Sequence, residues 1–267
     1  MPWGGGGGVS SQLTRSILSA NQIYYVNGTT GNDANNGLTS GTAWATMAQA
    51  MLGISQVDFN GYAVTVQVAD GTYASFTVPI CVGQGGAWAL TINGNSTTPS
   101  NVVFTSSTQQ STFNILAFCS ATIQNCLFSN THTGTARPIS NVGGHLVIGA
   151  GVYVGAGDEQ IFTSGNGMTE GGGPITVTAG GRIFCSVAYG GVFSYFGTMN
   201  MGTTTYTGRT FYAQGNGCIE CPATFTGTVT GQRYFAEFGG IVQTYSGNAN
   251  YLPGNAAGGT ATGGQYN

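Results

Sequence analysis

TTTYTGRTFYAQGNGCIE at 203–220 lies over TGTVTGQRYFAEFGGIVQ at 226–243 without a gap, at an offset of 23 residues. Thr205, Thr207, Gly208, Ala213 and Gly217 meet Thr228, Thr230, Gly231, Ala236 and Gly240, and the aromatic pair Phe211-Tyr212 meets Tyr234-Phe235. The same step from glycine into apolar residues stands upstream at Gly190-Gly191-Val192-Phe193 and at Gly143-Gly144-His145-Leu146. A period in this range marks a unit that stacks on copies of itself, because each unit alone leaves its apolar face in water. Coils of about 22–26 residues accommodate three short strands and three turns, with parallel strands about 4.8 Å apart in neighbouring coils. Some eight coils between residues 62 and 250 predict a rod roughly 40 Å long.

Strands are legible outward from that repeat. In YAVTVQVADGTY (62–73), Tyr62, Val64, Val66 and Val68 alternate with Ala63, Thr65 and Gln67, the pattern of a half-buried strand closed by the Asp70-Gly71 turn. FTVPICV (76–82), WALTING (88–94), NVVFTS (101–106), FNILAF (113–118), ATIQNCLFSN (121–130), HLVIGAGVYV (145–154) and PITVTAG (174–180) follow, split by turn residues. Ahead of them the period changes. In TAWATMAQAML (42–52), Trp44, Met47, Met51 and Leu52 share one helical face, which predicts a short amphipathic helix covering the end of the apolar core. Such a cover is needed because an open solenoid end presents unpaired strand edges. Residues 23–41 pair a β-prone run, Ile23 to Val26, with dense Asn, Asp and Gly. The expected organisation is a flexible attachment arm at 1–22, a β-helix over 23–250 and a C-terminal tail at 251–267.

Composition removes several function classes. The 267 residues include 47 Gly and only 5% charged residues, while 41% hydrophobic content with 14 Phe and 13 Tyr is too apolar for a disordered chain. Lys is absent, and Arg15, Arg137, Arg182, Arg209 and Arg233 carry all the positive charge against a net −3. Nucleic acid is therefore not an expected partner, since phosphate binding needs clustered cations. No apolar run approaches the ~20 residues of a membrane span. Met1-Pro2-Trp3 followed by five Gly lacks the basic start and apolar core of a secretory signal, so release by lysis, as for a virion component, is expected. The six cysteines, Cys81, Cys119, Cys126, Cys185, Cys218 and Cys221, are expected as free, inward-facing small hydrophobes. Cys218-Ile-Glu-Cys221 supplies half a zinc site, with no second CxxC and only His132 and His145 as histidines, so no metal or cofactor is expected.

YYVNGTTGNDANNGLTSGTAWATMAQAM (24–51), followed by Ala69-Asp70-Gly71-Thr72-Tyr73, resembles the opening of pectate-lyase-like β-helix proteins. The run TGQRYFAEFGGIVQTYSGNANYLPGNAAGGTATGGQY (230–266) is similar to the ends of β-helix proteins of tailed phages and prophages, tail fibres and tailspikes among them. Together they cover about a quarter of the chain. The resemblance implies an all-β chain: a single-stranded right-handed parallel β-helix, a solenoid with a short N-terminal capping helix. It also implies a phage particle and a homotrimer, with the arm meeting other virion proteins and the rod meeting a host surface glycan.

Glycan cleavage needs two positioned carboxylates. Asp33, Asp58 and Asp70 stand beside Asn or Gly in turns, where bonding to backbone is the ordinary role. Glu220 aligns with Gln243 and Glu237 with Gln214 in the repeat, which reads as solvated ladder positions. Asp158, Glu159 and Glu170, within GAGDEQIFTSGNGMTEGGG (155–173), remain as the catalytic candidates of a glycosidase. Lyase chemistry, which by analogy wants clustered acids for calcium and a basic proton acceptor, finds no matching positions. His132 and His145 have no acid close in sequence and are read as turn or surface residues. The Gly runs at 4–8 and 171–173 do not lead a strand into a helix, so they are read as tethers rather than phosphate loops. Trp88, Tyr195, Tyr206 and Tyr251 are candidates for stacking on sugar rings from the outer face. The expected function is a structural or receptor-binding virion component. A polysaccharide depolymerase of the same particle and a secreted or cell-surface bacterial adhesin are the alternatives.

Overall fold

Val64, Val66 and Val68 are buried while Thr65 and Gln67 face outward, so the alternation at 64–68 decides which side of the first full coil is core. A computed structural model describes residues 15–86 and 89–267 of the chain, and over them the fold is a right-handed parallel β-helix. Its first face is a ten-stranded sheet: Gln22–Val26, Val64–Val68, Leu90–Asn93, Ser120–Gln124, His145–Ile148, Met168–Gly171, Val192–Tyr195, Cys218–Glu220, Ile241–Gln243 and Gln265–Tyr266. The second face begins with Gly71–Ala74, Val102–Ser106, Cys126–Asn130, Val152–Val154 and Ile175–Val177. The third begins with Phe76–Val78, Phe113–Leu116, Ile139–Val142, Glu159–Ser164 and Gly181–Val187. In the last coils the long strands Thr198–Ala213 and Thr224–Ala236 run through the corner and join these two faces in one sheet.

Inward positions stack in rows across the coils. Tyr24, Val66, Ile92, Ile123, Ile148, Gly171 and Tyr195 form one such row, each paired with the next. Gly171 makes room for the Tyr195 ring, since a Cβ there would lie 2.9 Å from Tyr195 Cε2. On the other faces Phe104 and Phe128 stack at 5.0 Å, with Phe76 and Phe113 edge-on to them. All six cysteines are free, five buried and Cys218 half-buried.

The 203–243 repeat stacks directly, but not at a single offset. Arg209 pairs with Gln232 and Cys218 with Ile241, both at 23 residues, whereas Thr203 and Thr205 pair with Thr228 and Thr230. Between these blocks Tyr206, Thr207 and Gly208 stand opposite the single residue Gly231. Gly231 has φ +137, and a Cβ on it would sit 2.5 Å from the Tyr206 carbonyl oxygen, so only glycine closes the shorter path.

The capping helix spans Met47–Ser55 rather than 42–52, and it buries Met47, Ala50, Met51 and Ile54. Thr46 starts it by accepting the Gln49 N–H, while Ser40–Thr42 forms a separate 3-10 turn. Trp44 is buried ahead of the helix, stacked on Tyr24 at 5.2 Å with its indole N–H donating to the Asn35 carbonyl. Leu52, expected on the buried face, is 56% exposed because the buried stripe runs through Met47, Ala50, Met51 and Ile54, at i, i+3, i+4 and i+7, and position 52 falls on the opposite side of the helix.

Both ends differ from the expected boundaries. The arm expected at 1–22 lies outside the described residues as far as 14, and beyond that the chain is held: Ser16–Ile17 pairs with Val57–Asp58. The stretch expected as a tail continues the solenoid. Phe235 and Ala236 pair with Gly259–Thr260, Ile241 and Val242 pair with Gln265–Tyr266, and the Tyr266 ring stacks 4.0 Å from that of Tyr234.

Candidate functional site

The three candidate acids fall into two places. Asp158 and Glu159 enter the third face, where Arg137 Nε and Nη2 donate to Glu159 Oε2 at 2.9 and 2.7 Å. Arg182 donates to Glu159 Oε1 at 2.8 Å and, through Nε and Nη2, to both oxygens of Asp158. Asp158 is the main cause that raises the pKa of the Arg182 guanidinium. The Arg137 guanidinium also lies 3.5 Å over the Phe162 ring. With every carboxylate oxygen held by a guanidinium, this cluster ties three successive coils together and offers no free position for proton transfer.

Glu170 lies elsewhere, on the outer surface of the first face. There Val147, Glu170, Ser194, Glu220 and Gln243 form one outward row, rung upon rung. His145 Nε2 is 2.8 Å from Glu170 Oε1, which corrects the expectation that His145 has no acid nearby: stacking supplies one from the next coil. Ser194 Oγ donates to Glu220 Oε2 at 2.8 Å, and the Tyr245 hydroxyl donates to Glu220 Oε1. That bond to Glu220 raises the Tyr245 pKa. The Glu220–Gln243 alignment is a true rung pair. Asp58 bonds within its own turn, accepting from the Asn60 N–H, whereas Asp33 accepts from the Ala45 and Thr46 N–H groups at the start of the helix. Asp70, expected to bond local backbone, accepts instead from the Asn95 and Asn101 side-chain amides of the next coil.

Beside Glu170, at the corner between the first and second faces, a cleft of about 440 Å³ is lined by Val147, Gly149, Glu170, Gly172, Ser194 and Phe196. Gly171–Gly173 was expected as a tether. It is instead a packed corner: a Cβ on Gly173 would sit 2.5 Å from the Ala150 nitrogen, and one on Gly197 2.5 Å from the Gly172 oxygen. At Gly172 a Cβ would meet nothing within 4 Å, so the missing side chain there opens space above the backbone.

Of the aromatic residues expected outside, Tyr195 and Tyr206 are core, 0% and 2% exposed, with hydroxyls donating to the Gly173 carbonyl and to Gln160 Oε1. Tyr251 packs partly buried against the core and donates to the Ala223 carbonyl, and Trp88 lies outside the described residues. Among the described residues the exposed rings are Tyr62, Phe118, Tyr189, Phe196, Phe238 and Tyr245. Phe118, Tyr189, Phe238 and Tyr245 occupy left-handed turn positions, with φ from 49 to 65, which aim the rings away from the coil. Their signal in the sequence is an aromatic residue among turn residues, as in Tyr189-Gly190-Gly191 and Phe238-Gly239-Gly240.

Among the described residues no group of three or more His, Cys, Asp or Glu is placed to hold a metal ion, and no helix is long and apolar enough to cross a membrane. A scan against protein-family models finds no match, and neither the curated proteins nor the solved structures yield one.

Proposed function

We propose that this protein is a structural, receptor-binding component of a phage virion, a tail-fibre or tailspike-like adhesin that meets surface glycans of its host. The observation that carries this reading is the set of solvent-facing rings, Phe118, Tyr189, Phe196, Phe238 and Tyr245, held on a stacked solenoid. Such rings offer sugars flat apolar contact on a scaffold whose coils brace one another. The virion setting, the homotrimer and the role of the N-terminal arm in joining other virion proteins rest on the resemblance of 24–51 and 230–266 to phage β-helices. A secreted adhesin with the same rings is the alternative setting.

One observation favours a depolymerase as the second reading. Glu170 and Glu220 share an outward row with Ser194 between them, a backbone separation of roughly 9.6 Å at two rungs. That lies just beyond the roughly 9.5 Å upper end of the carboxylate spacing used for inversion. Immunogold labelling of purified particles with antibody to this chain tests the setting, and label restricted to bacterial surfaces would overturn it. Incubation with host capsular polysaccharide and lipopolysaccharide tests the activity. Binding without release of reducing ends is expected. Release abolished by Glu170→Gln and Glu220→Gln would establish the depolymerase, and release abolished by Asp158→Asn and Glu159→Gln would restore those acids as catalytic.

A further inference from the structure

We infer that the corner cleft between Glu170 and Phe196 is a subsite for a neutral hexopyranose and selects against acidic sugars. This rests on the glycan-binding reading. A pyranose has a C–H face that packs on an aromatic ring and an edge of hydroxyls that donate hydrogen bonds, so a complementary site needs one exposed ring and a fixed acceptor. Phe196 is 60% exposed beside the cleft. Glu170 supplies the acceptor: Oε1 is taken by His145, whereas no bond among the described residues occupies Oε2. That hydrogen bond and the pairing of Glu170 with Val147 and Ser194 fix the carboxylate before any ligand arrives. The volume of about 440 Å³ falls within the range of small-ligand sites. It exists because Gly172 carries no side chain where one would fit without contact.

Charge defines the sugar class. Glu170 stands in the cleft wall and Glu220 lies two rungs along the same row. The guanidiniums that would balance a uronate are engaged on the third face. Arg137 and Arg182 bind Asp158 and Glu159, Arg209 lies over Tyr212 and Phe235, and Arg233 donates to the Ala256 carbonyl. Arg15 is near Cys81 at the other end of the rod, and the sequence has no lysine. His145, the one imidazole at this row, already bonds Glu170. A carboxylated sugar would therefore set its charge against Glu170 with no counter-ion, whereas hydroxyls gain a charged acceptor.

Titration calorimetry of the full chain with glucose, galactose and mannose oligosaccharides, and with oligogalacturonate, tests the assignment. At least one neutral series is expected to bind about tenfold more tightly than oligogalacturonate. Phe196→Ala should weaken that binding about tenfold. Gly172→Leu should abolish it while the thermal midpoint stays unchanged, which separates blocking from unfolding. Glu170→Gln should narrow the difference between neutral and acidic sugars. Sugar binding that survives both Phe196→Ala and Gly172→Leu overturns the subsite and leaves the adhesin reading standing. Absence of binding to every sugar overturns the subsite too, and host-cell adsorption measured alongside then decides the wider reading separately.

Discussion

Buried thiols give the clearest consequence of a single residue's surroundings. Desolvation pushes Cys81 and Cys221 up to about 12 from an ordinary 9.0, and it raises Cys185 well above its ordinary value. An unfolded thiol loses its proton near 9, while the folded one keeps it, so the folded state binds more protons between about 9 and 12. The stability these groups contribute is present in full below about 9 and is lost as pH rises through 12. Urea unfolding followed across pH is expected to show a fall above pH 9 of about 1.4 kcal/mol per pH unit for each such thiol. Stability unchanged from pH 8 to pH 11 would contradict this. The five inward cysteines were legible because a free cysteine ordinarily behaves as a small buried hydrophobe. Cys218, expected inward with them, is half-buried and shares the outer side of its strand with Glu220. The partners of the acids were not: Glu159 meets Arg137 and Arg182 at 22 and 23 residues' distance, and Glu170 meets His145 at 25, one coil away in every case.

Turns and strands repeat at the next scale. Gly144, Gly167, Gly191, Gly217, Gly240 and Gly264 each open the first face of a coil, where a Cβ would come within 3 Å of the coil before it. At Gly240 that atom would lie 2.3 Å from the Ala213 carbonyl oxygen. Gly240→Ala is expected to cost about 2 kcal/mol or more, because backbone on both sides is held by rung hydrogen bonds. Gly172→Ala, with open space at its Cβ, should change stability by less than about 0.5 kcal/mol. Chemical denaturation of the two variants measures the contrast, and equal losses would refute the close-approach account. The glycine step was visible in the sequence as a recurring motif. The helix start was not, because Trp44 continues the apolar spacing of the helix although Thr46 and Asp33 set the cap behind it.

Across the whole molecule, stacking of apolar rows carries the fold and charge contributes little. The guanidinium–carboxylate salt bridges among the described residues are confined to the Arg137–Glu159–Arg182–Asp158 cluster. Raising NaCl to about 1 M shortens the Debye length to about 3 Å. The thermal midpoint is nonetheless expected to move by less than about 3 °C, as an effect near 1 kcal/mol would in a domain of this size. Calorimetry in low and high salt tests this, and a drop of about 10 °C would mean that ionic contacts hold the coils. The 22–26-residue period of the later coils, the β-prone runs, the inward side of Val64–Val68 and the presence of a capping helix followed from local pattern alone, since alternation and turn chemistry act between near neighbours. The first coils, where steps of 31 to 42 residues occur, depart from that period. Which side chains meet across coils was decided only in three dimensions. Coil length changes from 26 residues at Asn200/Thr226 to 25 at Thr203/Thr228 and 23 at Arg209/Gln232, and each bulge re-assigns the partners beyond it. The acid clusters and the corner cleft at Gly172 arise from that winding, which no short stretch of chain encodes.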